Sequence, residues 1–135
     1  MEVDWRDASA DQRLIEISDA TNNNKIGFYN SSGGSLTMIV RANNVTLVSQ
    51  GASSSGFSGI QKIALAYADS DFELYQNGSS FDDSTSGSLA ALATLTDVDL
   101  GQAYNAGAQA NMWIRAVALF TRRLSDAEAE ALTTL

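Results

Sequence analysis

The chain has no cysteine and no histidine among its 135 residues. The first absence excludes a disulfide scaffold and a thiolate metal site. The second removes the commonest catalytic base and the commonest nitrogen ligand for a metal. Basic residues are few: eight lysines and arginines stand against sixteen aspartates and glutamates, a formal net charge of −8. They are scattered singly except for the Arg122-Arg123 pair, which argues against a nucleic-acid partner, whose phosphates demand a basic surface. An anionic membrane surface is disfavoured for the same reason. No run approaches the roughly 20 apolar residues of a membrane-spanning helix, and the opening MEVDWRDASADQ is acidic, unlike a secretory signal. The expectation is a soluble protein made in a cytoplasm, with no signal peptide and no membrane insertion. Its chemistry must come from carboxylates, amides, hydroxyls and aromatic rings.

What is present reads as strands separated by Asn, Ser and Gly clusters, with 44% hydrophobic residues and enough length for one domain, residues 1–135, around a single core. Leu14, Ile15 and Ile17 mark a strand that stops at the polar run 18–24. Residues 25–29 form the next strand, which turns at 31–34. Leu36, Met38 and Val40 alternate with Thr37, Ile39 and Arg41, and Asn43-Asn44 turns the chain into a hairpin partner over 45–48. Residues 51–59 read as a loop. In the central hairpin Ile63, Leu65 and Tyr67 share one face and Phe72, Leu74 and Gln76 share the other strand's face, joined at 68–71. Asn77-Gly78 is a type I′ turn signal. Phe81 begins a short strand that fades into 83–88, and 89–95 reads either as a helical turn or as an irregular loop. Residues 113–120 look like a strand covered on both faces, which places Trp113 in the core. Ser125 and Glu128 then have capping-box spacing, so a helix is expected over 125–133, with Leu124 stapled against Ala129.

Three stretches carry a family likeness: KIALAYADSDFELYQNG (62–78), VDLG (98–101), and the closing tract over 114–132 with its R-x-L-S-D-A-E run. Together they resemble the concanavalin-A-like lectin/glucanase superfamily, and more narrowly the laminin-G-like domains of bacteriophage tail and virion proteins. The resemblance spans residues 13–135. It implies an all-β fold, an antiparallel β-sandwich of jelly-roll type, here with a short C-terminal α-helix. It also implies a first strand pairing beside the last one. Because the likeness begins so near Met1, the usual N-terminal strand is expected to be missing or supplied by a neighbour, since unpaired edges invite pairing.

The function implied is a non-enzymatic binding module of a phage virion or tail appendage. Its partner would be cell-surface glycan or, alternatively, other virion proteins that it decorates. The virion setting also implies a homo-oligomer or a larger assembly. Carbohydrate sites need rings that stack on the apolar face of a sugar and amides or carboxylates that read its hydroxyls. Tyr104 and Asn105, in the Gly/Ala-rich loop 101–110, fit that need best, with Asn77 and Trp5 as further candidates. Asp69, Asp71 and Asp99 offer the hard oxygens that calcium takes, with Asn77 and Asn105 as further donors, so calcium is the candidate cofactor. A minor alternative is a retaining glycosidase. Glu2, Asp4 and Asp7 echo the E-x-D-x-x-E pattern of the related glucanases, whose paired carboxylates stand about 5 Å apart, but Asp7 replaces the second Glu and would misplace the general acid.

Overall fold

A computed structural model of the chain describes residues 1–7, 10–53 and 58–135. Among these residues lie ten strands and one α-helix: β1 (Glu2–Asp7), β2 (Gln12–Ser18), β3 (Lys25–Asn30), β4 (Ser35–Ala42), β5 (Val45–Ser53), β6 (Gly59–Ala68), β7 (Asp71–Gln76), β8 (Ser79–Ser84), β9 (Asp97–Leu100), β10 (Asn111–Ala116) and α1 (Asp126–Thr133). A single 3₁₀ turn, Leu89–Ala91, is all the helix found in the 89–95 segment. The strands form two antiparallel five-stranded sheets, in the orders β10-β1-β6-β7-β8 and β5-β4-β3-β2-β9. The fold is the all-β jelly-roll sandwich that the sequence implies.

Alternation sets the layers. In β4, Leu36, Met38 and Val40 are fully buried between the sheets, because successive side chains of a strand point to opposite faces. From the other sheet, Val3, Trp5, Ile63, Phe72 and Leu74 meet them in one core. The central hairpin has the expected register, with Leu65 opposite Leu74 and Tyr67 opposite Phe72. Both short turns use the left-handed backbone: Asn43 and Asn44 have φ of 50° and 65°, and Asn77 and Gly78 have 51° and 84°. Gly78 is needed twice over, because a Cβ there would lie 2.9 Å from Thr134 Oγ1.

The first sheet is covered on its outside by α1. Ser125 Oγ accepts the Glu128 amide proton and Glu128 Oε2 accepts that of Ser125 at 2.9 Å, completing the capping box. The helix sets Ala129, with Leu124 beside it, onto Ala66 and Tyr75, and Ala64 joins the edge of this cluster. Tyr75 O–H donates to Asp126 at 2.9 Å. Burial, together with Glu73 and Asp126, holds that phenol well above its ordinary value.

Three expectations are corrected here. The first strand is present: β1 lies between β10 and β6, pairing with both. The closing strand begins at Asn111 and ends at Ala116, and it is an edge strand whose Met112 packs on the core while Trp113, on the opposite face, is 68% exposed rather than core. An unbroken apolar run reads as doubly covered when, as here, its neighbours are missing from the sequence view. Of the expected loop at 51–59, residues 51–53 close β5 and Gly59 opens β6, while 54–57 lie outside the described residues.

Candidate carbohydrate-binding face

Among the described residues no helix lies over the outer face of the second sheet, and its outward positions carry charge within otherwise apolar strands. Arg13 stands opposite Tyr29, Glu16 opposite Gly27, and Lys25 opposite Arg41 across the β2-β3-β4 ladder. Lys25 Nζ lies 2.9 Å from Glu16 Oε2, and both residues are almost fully buried, at 2% and 1% exposure. What buries them is the loop 101–110. The Tyr104 amide donates to the second Glu16 oxygen at 3.1 Å, the Arg13 amide donates to the Ala108 carbonyl at 2.9 Å, and the Tyr104 ring lies 5.7 Å from the Lys25 ammonium. Glu16 is thus held by charge and backbone at once. Burial pushes the Lys25 ammonium below its ordinary value, opposed by Glu16 and helped by the positive Arg13 and Arg41 nearby. Close strand approach makes this packing possible: a Cβ on Gly27 would sit 2.2 Å from the Ile15 carbonyl oxygen, beside the bulge in β2.

Two arginines border this pair and are only partly used. The Arg13 guanidinium stacks 4.0 Å from the Tyr29 ring centroid and reaches Glu16 only at 3.8 Å, leaving a buried Nη1 with no hydrogen-bond partner among the described residues. Arg41 gives one nitrogen to the Asn44 carbonyl and side chain, while its Nε is buried and equally unmatched. A buried donor without a partner costs free energy, and a planar guanidinium matches a carboxylate edge to edge. At the β9 edge Asp99, the cross-strand partner of Glu16, and Asp97, opposite Ser18, add two carboxylates to the same face. Three cations and three carboxylates thus balance on this face, in a chain of net charge −8.

The expected site residues fare differently. Tyr104 lies half-buried at the rim of this face, and exposed Asn105 shapes the same loop by accepting the Gly107 amide proton at 3.1 Å. Trp5 is corrected: at 2% exposure it belongs to the core and presents no ring to a ligand. Asn77 is also committed internally, accepting from the Lys62 amide and donating to Gln61, which closes the hairpin end.

The calcium set is corrected as well. Asp69 accepts from Ser88 and the Leu89 amide, Asp71 pairs with Arg123, and Asp99, on the second sheet, accepts from Gln102 just beyond its own strand. Among the described residues no three carboxylates, histidines or cysteines converge on a metal position. In the glycosidase set, Glu2 pairs with Arg115 at 3.2 Å and Asp4 with Arg6 at 3.0 Å, while the Asp7 side chain lies outside the described residues. These pairings occupy the carboxylates that a glycosidase would need free.

Arg13, Glu16, Lys25 and Arg41 are the residues that reading the sequence missed. The signal was there in outline, as single charges at alternate positions of apolar strands, but alternation alone does not say which sheet face stays open. A cavity of about 710 Å³ lies elsewhere, walled by core side chains such as Ile17, Ile26 and Leu65 and bordered by Leu119 and Phe120. Its apolar wall suits packing better than the reading of sugar hydroxyls.

No protein-family model matches the chain, and no curated protein matches it. Solved structures do. The Ruminococcus gnavus IT-sialidase CBM40 bound to α2,3-sialyllactose superposes with a TM-score of 0.74 at 16% identity, over 99% of this chain and 80% of that one. The same module bound to α2,6-sialyllactose gives 0.69 at 17% identity, over 98% and 79%. A leech intramolecular trans-sialidase, complexed with 2,7-anhydro-Neu5Ac, gives 0.71 at 15% identity over 98% of this chain and 22% of that one. At such identity the likeness is one of fold: this chain shares the jelly-roll β-sandwich of these lectin-like modules.

Proposed function

We propose that the chain is a non-catalytic carbohydrate-binding module that recognises acidic, carboxylate-bearing glycans on the outer face of its second sheet. The observation that carries this reading is the pair of arginines, Arg13 and Arg41, each with a buried guanidinium N–H left without a partner among the described residues on that face. A sugar carboxylate would engage the guanidinium edges, with Tyr29 and Tyr104 as stacking rings at the rim and Asn105 reading hydroxyls. The CBM40 neighbours bind sialyllactose, a carboxylated glycan, which supports the choice of ligand class. In the virion setting that the family resemblance implies, the same face would attach a particle to acidic glycan on a cell.

A glycan array compared with its desialylated copy tests this, followed by calorimetry with sialyllactose. Binding should be confined to acidic glycans and should weaken with salt. Arg13→Ala and Arg41→Ala should each cost roughly 1.5–3 kcal/mol, the usual range for hydrogen bonds to a charged group, or about 10- to 150-fold in affinity. Binding to neutral glycans alone, or arginine variants that bind unchanged, would refute the assignment.

A further inference from the structure

The four sheet edges of the sandwich differ sharply. β8, at one end of the first sheet, reads SSFDDS and carries Asp82 and Asp83; β9 carries Asp97 and Asp99; β5 opens on an exposed Val45 but continues with exposed Thr46, Ser49 and Gln50. Charges and polar residues along an unpaired edge are the usual protection against pairing with another chain. β10 has no such protection. It reads NMWIRA, its outer edge pairs with no strand among the described residues, and Trp113 and Ile114 are 68% and 40% exposed. Its one charge, Arg115, is already neutralised by Glu2 at 3.2 Å. Exposed apolar side chains continue on the same side of the sandwich: Val98 and Leu100 on β9, then Leu119 and Phe120 after β10. Gly101, at the end of β9, lies so near β10 that a Cβ on it would touch Met112 and Ile114.

We propose that β10 is a self-pairing edge, through which two copies of this chain join antiparallel about a two-fold axis at Trp113. A second copy is the occupant that the charge pattern favours. In this register Trp113 faces its own symmetry mate, Met112 faces the partner's Ile114, and Arg115 faces the partner's Asn111, while the Arg6 guanidinium that lies 5.8 Å from the Trp113 ring is paired with Asp4 at 3.0 Å. Alternation keeps each pair on one face of the joined sheet. Self-pairing of β8 would instead bring its aspartates together, and two chains of net charge −8 can associate stably only where the contact itself is free of like charges. The first sheets of the two copies become one ten-stranded sheet, and the apolar side of the sandwich is covered. The outer faces of both second sheets stay exposed, so the dimer would present two binding faces and gain avidity on a glycan-bearing surface.

The absence of cysteine makes the test clean. At micromolar concentration, sedimentation should report twice the 14.3 kDa of one chain. Ile114→Lys should return the single-chain mass with an unchanged circular dichroism spectrum. Trp113→Cys should cross-link to its symmetry mate under mild oxidation, whereas Asp82→Cys on the β8 edge should not. The cross-link arm decides the matter even if Ile114→Lys fails to fold. A monomer throughout the micromolar range, a dimer indifferent to Ile114→Lys, or equal cross-linking from both edges would overturn the proposal.

Discussion

The two outer faces of the sandwich are built on opposite principles. On the first sheet, small apolar side chains, Ala64 and Ala66, lie beneath a helix that delivers Ala129 and Leu124 to them. On the second, the outward positions hold Arg13, Glu16, Lys25 and Arg41, and the loop 101–110 touches Glu16 and Arg13 through backbone groups. One face is closed by packing and the other is held open by charge. The lesson is that a chain spends a buried ion pair where it cannot spend a helix, because a face that must meet a polar ligand has to remain polar.

That contrast can be broken from either side. The largest effect is expected on the open face. Lys25→Met leaves Glu16 buried without its counter-charge and should cost about 3–5 kcal/mol in urea unfolding, while adding Glu16→Leu should recover much of the loss. If the single variant is as stable as the parent, the pair does not organise this face. On the helix side, Ala129→Leu must force extra methylenes against Tyr75 and should cost roughly 1–3 kcal/mol, because close-packed contacts tolerate overfilling poorly. Acidic-glycan affinity should be untouched, since the helix lies on the other sheet. Any loss of binding there would mean that the two faces are coupled.

Smaller still, Ser125→Ala should cost about 1 kcal/mol through the lost cap, read as a lower melting temperature. The least effect comes from pH. Arg122 and the groups of Ser125 hold the Glu128 carboxylate down from 4.5 to about 2. Its folded value is depressed, so its contribution is present above pH 4.5 and fades as the pH falls towards 2. Because Glu128 is solvent-exposed the change should be slight, visible as helix loss in far-ultraviolet circular dichroism, and Glu128→Gln should flatten it.

How much of this could be read beforehand follows from the range of the interactions. The β6-β7 hairpin, the two Asn-initiated turns and the Ser125 capping box are local: each is decided by residues within a few positions of one another, and each stands where the pattern puts it. The two tryptophans show the opposite case. Trp5 and Trp113 lie one register step apart on adjacent strands of one sheet and face opposite sides of it; burial depends on which layer lies beyond each ring, so both were placed on the wrong side. The open face is non-local in the same way. Glu16 meets Lys25 nine positions on and Tyr104 eighty-eight positions on, separations that no periodicity reports. Tyr104 and its loop were picked out because an aromatic in a Gly/Ala tract needs a reason to be there; the charged residues beneath it gave no such oddity.

Both chain ends finish on the same strand. The Met1 ammonium donates to the Ile63 carbonyl at 2.6 Å and the Ile63 amide returns a bond to Met1, while the next residue along, Lys62, reaches the Thr134 carbonyl at 2.8 Å. Residues 1 and 134 are therefore fastened at neighbouring points of β6, in the sheet that α1 covers, while β2, β3 and β4 lie in the other sheet.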